Sequence, residues 1–97
     1  MPAYLIVCRE EPVRDEAAFA EYQRLNREGQ RGEHNIVPRV LYGAVHPLEG
    51  QAPDAVVILE FPTVEEARAW YNSPSYQAAL PHRLKAAAYR TIIVEGL

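Results

Sequence analysis

Apolar positions along this chain recur with two periods, and each change of period marks an element. Tyr4-Leu5-Ile6-Val7-Cys8 is short, apolar and β-branched, which predicts a buried strand over 3–9 that ends at Arg9-Glu10-Glu11-Pro12. The period then lengthens. Ala18, Tyr22 and Leu25 fall at i, i+4 and i+7 with Phe19 beside them, so residues 15–28 predict a helix. Asp15 is placed to cap it, Glu16 lies where the helix dipole favours an anion, and Gly29 and Gly32 are natural terminators. Residues 36–46 predict a second strand, and Pro38, with no N–H for a ladder, assigns it to a sheet edge or a bulge. After a turn-rich stretch over 47–54, Ala55–Phe61 is the strongest strand pattern in the chain. Thr63-Val64-Glu65-Glu66 reads as a capping box opening a helix, with Val64, Ala67 and Tyr71 on one face and Trp70 alongside. Ser73-Pro74 breaks that helix and starts another, with Ser73 as cap and Pro74 in the first turn. Tyr76, Leu80 and Leu84 continue at four-residue spacing, and Pro81 is expected to kink or split the segment. Tyr89–Glu95 closes the chain as a strand.

The order β-α-β-β-α-β predicts an α+β, ferredoxin-like domain over 1–97: a four-stranded antiparallel sheet with its helices on one face. The continuous strands 3–9 and 55–61 fit the centre of the sheet, and the Pro38 strand and the more polar last strand fit its edges. Leu5 and Val7 point one way while Tyr4, Ile6 and Cys8 point the other; Val57, Leu59 and Phe61 oppose Val56, Ile58 and Glu60. Both faces are therefore apolar, and helices on one side cannot cover both. A bare second face exceeds the contiguous apolar surface usual for a monomer, which predicts a homodimer packed sheet to sheet, the alternative being a monomer whose loops cover that face.

Composition narrows the function classes. The 97 residues are 48% hydrophobic and 24% charged, which excludes a disordered or fibrous chain. Ten Lys+Arg against thirteen Asp+Glu give a net charge of −3, which argues against nucleic-acid binding. A single cysteine excludes an internal disulfide. The longest apolar runs are far short of a membrane span, and the N-terminus lacks signal-peptide features, so a soluble cytoplasmic protein without membrane association is expected.

Candidate chemistry is sparse. The sequence has no dinucleotide fingerprint, P-loop, zinc-protease helix or nucleophile elbow, and no cofactor is predicted. His34, His46 and His82 lack metal-ligand spacing, and no metal site is assigned. Glu60 stands out because it interrupts an apolar strand in phase with Val56 and Ile58. Buried there, it needs a partner or a raised pKa, and a raised carboxylate suits a general acid or base. Tyr42 and His46 share the predicted second strand and are placed to line a polar pocket. Tyr4, Trp70 and Arg83 complete the candidate ligand-binding set, Arg83 as a cation for an anionic group; each has the blander alternative of interface, core or solvated side chain.

The run Leu59-Glu60-Phe61-Pro62-Thr63-Val64-Glu65-Glu66-Ala67-Arg68-Ala69-Trp70-Tyr71-Asn72-Ser73-Pro74-Ser75-Tyr76-Gln77 closely resembles domain-of-unknown-function family 1330, as do the Leu48-Glu49-Gly50 turn and the closing Val94-Glu95-Gly96. The resemblance implies a dimeric α+β barrel and no established reaction. Many members carry Arg-Gly-Gly where this chain reads Leu41-Tyr42-Gly43, so an anion-binding role for that Arg does not carry over. The wider superfamily it resembles in fold includes cofactor-independent monooxygenases, muconolactone isomerases and haem-degrading enzymes. Trp70 and His82 match two members of the haem degraders' Asn-Trp-His set, but the first strand has no Asn, so that activity is not implied. The expected function is a homodimer binding a small organic molecule in a pocket by the sheet. The alternatives are a cofactor-independent monooxygenase or isomerase-like enzyme, with Glu60 or His46 as base, and a purely structural dimer.

Overall fold

The computed structural model describes residues 1–29 and 34–97. Its elements run β1 (Ala3–Arg9), α1 (Glu16–Glu28), β2 (Val37–Leu41), β3 (Ala55–Phe61), α2 (Val64–Tyr71), α3 (Pro74–Ala86) and β4 (Tyr89–Glu95). The four strands form one antiparallel sheet in the order β2-β3-β1-β4. The fold is ferredoxin-like, with the helices on one face. Its Cα atoms span 32 × 32 × 16 Å, the thickness of one sheet layer and one helix layer.

Each end of a helix has a local cause. The Asp15 side chain accepts from the Ala18 N–H at 2.9 Å and starts α1, and Gly29 ends it; the other predicted terminator, Gly32, lies outside the described residues. Thr63 accepts from the Glu66 N–H at 3.1 Å and starts α2. At the break between α2 and α3, the Ser73 hydroxyl donates to the Trp70 carbonyl at 2.7 Å and accepts from the Tyr76 N–H at 3.3 Å. The chain therefore turns a corner here without leaving buried polar groups unpaired.

Two expectations are corrected. The second strand stops at Leu41 rather than running to residue 46, because Tyr42 takes a left-handed backbone (φ 58°) that no strand continues. Pro38 does lie on an edge strand, and the register against β3 slips between Pro38 and Val40, so the proline sits at both an edge and a bulge. Pro81 neither splits nor ends α3, which continues to Ala86. It faces solvent, where water can satisfy the Gln77 carbonyl that its missing N–H leaves free.

The inward register of α3 also differs from the apolar spacing. Tyr76, Ala79, Leu80, Arg83 and Ala86 are buried, whereas Leu84 is 56% exposed. Two small alanines let α3 approach its neighbours closely, and that face carries the arginine with it. The core lies between the sheet and the helices. Leu5, Val7 and Phe61 from the strands meet Tyr22, Trp70, Tyr76 and Leu80 from the helices. Trp70 is its hinge point, with ring centroids 4.2 Å from Tyr76 and 5.8 Å from Phe61. Such tilted aromatic contacts contribute about 0.5–1.5 kcal/mol each beyond area burial.

The opposite face of the sheet is apolar as well. Ile92, Val94 and Val37 are 54%, 43% and 41% exposed, and Ile6, Val56 and Ile58 beside them are half-buried. No described helix is long and apolar enough to cross a membrane.

Candidate functional site

A cavity of about 270 Å³ opens between the helix-facing side of the sheet and helices α1 and α3. Its floor is aliphatic: Leu5, Val7, Val57 and Leu59, projecting at alternate positions from β1 and β3. Its walls are aromatic and polar. Tyr22 comes from α1, Tyr76 and Arg83 from α3, Trp70 from α2, Tyr89 from β4 and Tyr42 from the turn after β2. Among the described residues no aspartate, glutamate or histidine lines it.

The phenols form a linked set. The Tyr22 and Tyr76 hydroxyls lie 3.0 Å apart, buried, as one hydrogen bond between α1 and α3. Burial pushes the Tyr22 phenol far above its ordinary pKa of 10.0, and the neighbouring Tyr76 reinforces the shift. Tyr76 is also raised by burial, against the opposing effect of the Arg83 charge. Tyr42 is raised for the same first reason, opposed by Arg9. All three therefore stay protonated near neutral pH and act as hydroxyl donors and acceptors. Tyr42 meets the Phe19 ring edge-on, at a centroid distance of 6.5 Å. Its left-handed backbone stores about 1–3 kcal/mol of strain at the cavity mouth.

Three arginines line the cavity: Arg27 is exposed to water, and Arg9 and Arg83 are held differently. Arg9 is neutralised: its Nη2 lies 2.8 Å from Asp54 Oδ2, and its guanidinium lies over the Phe19 ring at 5.3 Å. Arg83 is 3% exposed and, among the described residues, has no carboxylate partner. Its Nη1 donates to Thr91 Oγ1 at 3.3 Å, and its guanidinium sits 4.7 Å from the Tyr89 ring centroid.

Of the six residues singled out by sequence, the structure brings Tyr42, Trp70 and Arg83 together around this cavity. The other three lie elsewhere. Glu60 projects from the far face of the sheet, where Arg39 Nε donates to its Oε1 at 3.0 Å. Tyr4 is on that same face, its ring so close to Gly96 that a Cβ there would sit 2.7 Å from Tyr4 Cε2. His46 is exposed in the loop after β2, because the strand expected to carry it has already ended. No group of three or more His, Cys, Asp or Glu is placed to hold a metal ion among the described residues.

Sequence reasoning did not place Tyr22, Tyr76 and Tyr89 in the site. The signal was present: each puts a polar tip on an otherwise apolar inward stripe, where a hydroxyl needs a partner or a cavity.

The sheet order and the one-sided helices define a ferredoxin-like α+β protein. The chain belongs to the family described as Domain of unknown function (DUF1330), whose model matches residues 2–97. Among solved structures it is similar to an ethyl tert-butyl ether d (EthD) family protein from Bacillus halodurans, with 19% identity, all of both chains covered and a TM-score of 0.64. It is also similar to a protein of unknown function from Rhodopseudomonas palustris, with 22% identity over 99% of this chain and 82% of that one, TM-score 0.62. A dimeric ferredoxin-like protein of unknown function from Thermobifida fusca shares 18% identity over 97% of this chain and 90% of its own, TM-score 0.61. No curated protein matches the sequence.

Proposed function

We propose that this chain is a homodimer whose protomers pack through the helix-free faces of their sheets, each binding a small organic molecule in the cavity beside α1 and α3. The cavity carries the reading. At about 270 Å³, with an aliphatic floor and aromatic walls bearing a few hydroxyls, it matches the form of a small-ligand site. Tyr42, Trp70 and Arg83 contribute to binding; Glu60 and Tyr4 belong to the dimer face. That face supports the oligomer, since Ile92, Val94 and Val37 are too apolar to leave in water together. A dimeric relative of the same fold supports it further.

Binding fits the lining better than proton-transfer catalysis. Among the described residues the cavity has no carboxylate or imidazole and its phenols are held protonated, so none of them is basic enough to abstract a proton near neutral pH. Trp70 is the sole tryptophan and lines the cavity, so its fluorescence reports occupancy. Titration with a panel of small aromatic and aliphatic compounds is expected to give saturable quenching and a raised melting temperature for at least one class. Unchanged fluorescence and melting temperature across the panel would overturn the ligand site.

A further inference from the structure

We propose that the cavity selects organic anions: small carboxylic acids with an apolar body, whose carboxylate sits against Arg83. The proposal rests on the cavity being a ligand site and adds the charge of the ligand. Arg83 is among the most buried side chains in the protein, yet it is a full cation. A buried charge is ordinarily matched by a carboxylate, and among the described residues none pairs with it or lines its cavity. One hydrogen bond to Thr91, the neighbouring Tyr76 hydroxyl and the face of Tyr89 use only part of its donor set.

Two orphaned donors mark where the missing acceptor belongs. Among the described residues, Arg83 Nε and the Tyr89 hydroxyl are both buried without a partner at bonding distance, the nearest charge to Tyr89 besides Arg83 being Arg9, and both residues line the same cavity. Buried polar atoms are nearly always paired, so two adjacent exceptions in a site of this size point to an absent acceptor rather than to packing. A carboxylate supplies the negative charge and several lone pairs at once.

The register of α3 fixes the cation inside. Turning this helix to bury Leu84 would place an aliphatic side chain inside and move the cation toward water. The fold does the reverse, leaving Leu84 56% exposed and Arg83 inside. Close packing of the Ala79 and Ala86 face sets this register, and it leaves the fold with a buried cation that an anionic ligand would neutralise. The remaining walls fit the rest of such a molecule. Val57 and Leu59 offer an aliphatic surface, and Trp70 an aromatic one. Of the other arginines in the lining, Arg9 is already held by Asp54, and Arg27 is exposed, where water screens its charge.

The test uses matched pairs of equal shape and different charge: benzoate, phenylacetate and 3-phenylpropionate, each beside its own amide. Trp70 fluorescence and thermal shift of the intact protein are the readouts. The acids are expected to bind about tenfold tighter than their amides or more, and added salt should narrow the gap. In Arg83→Gln the acid-to-amide preference should collapse to near unity, acid binding weakening about tenfold more than amide binding. Equal affinity for acids and amides in the unaltered protein would overturn the anion proposal and leave the cavity a ligand site. Binding of neither overturns both readings. The paired comparison on the unaltered protein decides the question even if Arg83→Gln does not fold.

Discussion

Single residues carry opposite assignments here depending on which side of one sheet they face. Glu60 reads in sequence as an unusual carboxylate in an apolar strand, and the structure explains it as the partner of Arg39. Arg39 is 55% exposed at the side chain and Glu60 23%, so solvent screens the pair and its worth is about 0–1 kcal/mol. Glu60→Gln is therefore expected to lower stability by no more than about 1 kcal/mol in urea denaturation and to leave Trp70 quenching by ligand unchanged. A large loss of binding would return Glu60 to the site. Tyr22 is a different case, because its phenol is desolvated and bonded to Tyr76. Folding raises its pKa above the unfolded value of 10.0, so its stabilising contribution is complete below pH 10 and lost as the pH climbs beyond it. The protein should lose stability above pH 10 more steeply than Tyr22→Phe does. At neutral pH that variant should be about 1 kcal/mol less stable, from the lost hydroxyl pair. Melting curves of both proteins between pH 7 and 11 check the two statements together.

At the scale of elements, the α2–α3 corner and the body of α3 make contrasting predictions. Ser73 is buried, and its hydroxyl bonds both helices, donating to the Trp70 carbonyl in the last turn of α2 and accepting from the Tyr76 N–H in the first turn of α3, with Ser75 Oγ also 3.4 Å away. Ser73→Ala removes both and leaves the Tyr76 N–H without its cap, for an expected loss of about 1–2 kcal/mol by urea denaturation. Pro81 sits eight residues into α3, where its ring and missing N–H work against the helix. Pro81→Ala restores a donor to the Gln77 carbonyl and is expected to stabilise the protein by about 1–2 kcal/mol, after allowing for the greater freedom of the unfolded chain. A neutral or destabilising result would mean that Pro81 is held by a contact its alanine cannot replace.

At the scale of the molecule, the sheet has two apolar faces and helices for only one. Ile92 lies on the uncovered face, 54% exposed, on the edge strand β4. Ile92→Asp adds a charge where the protomer alone has water and the proposed dimer has none. It should keep the circular dichroism of the folded chain yet shift the mass in sedimentation equilibrium from about twice the 11.0 kDa chain mass to that mass itself. Unaltered protein that sediments as a monomer at micromolar concentration would sink the dimer. The more central Ile58→Asp is expected to unfold as well as dissociate, because Ile58 is already half-buried by its own sheet.

The strands β1, β3 and β4, the start of each helix, the edge position of Pro38 and the break at Ser73-Pro74 were all legible in the sequence. Each depends on neighbours along the chain: alternation, a cap three residues before its donor, a missing N–H. What could not be read locally was rotation and termination decided by packing. Spacing puts Leu84 inside α3, and only contact with α1 and the sheet, through Ala79 and Ala86, turns Arg83 inward instead. Spacing extends β2 to His46, and only the left-handed turn at Tyr42 ends it. The candidate site inherits those decisions. Trp70, Tyr42 and Arg83 meet around one cavity because two helices and one turn converge there, while Glu60, equally conspicuous in the sequence, sits on the other face because a strand directs alternate side chains to opposite faces of its sheet.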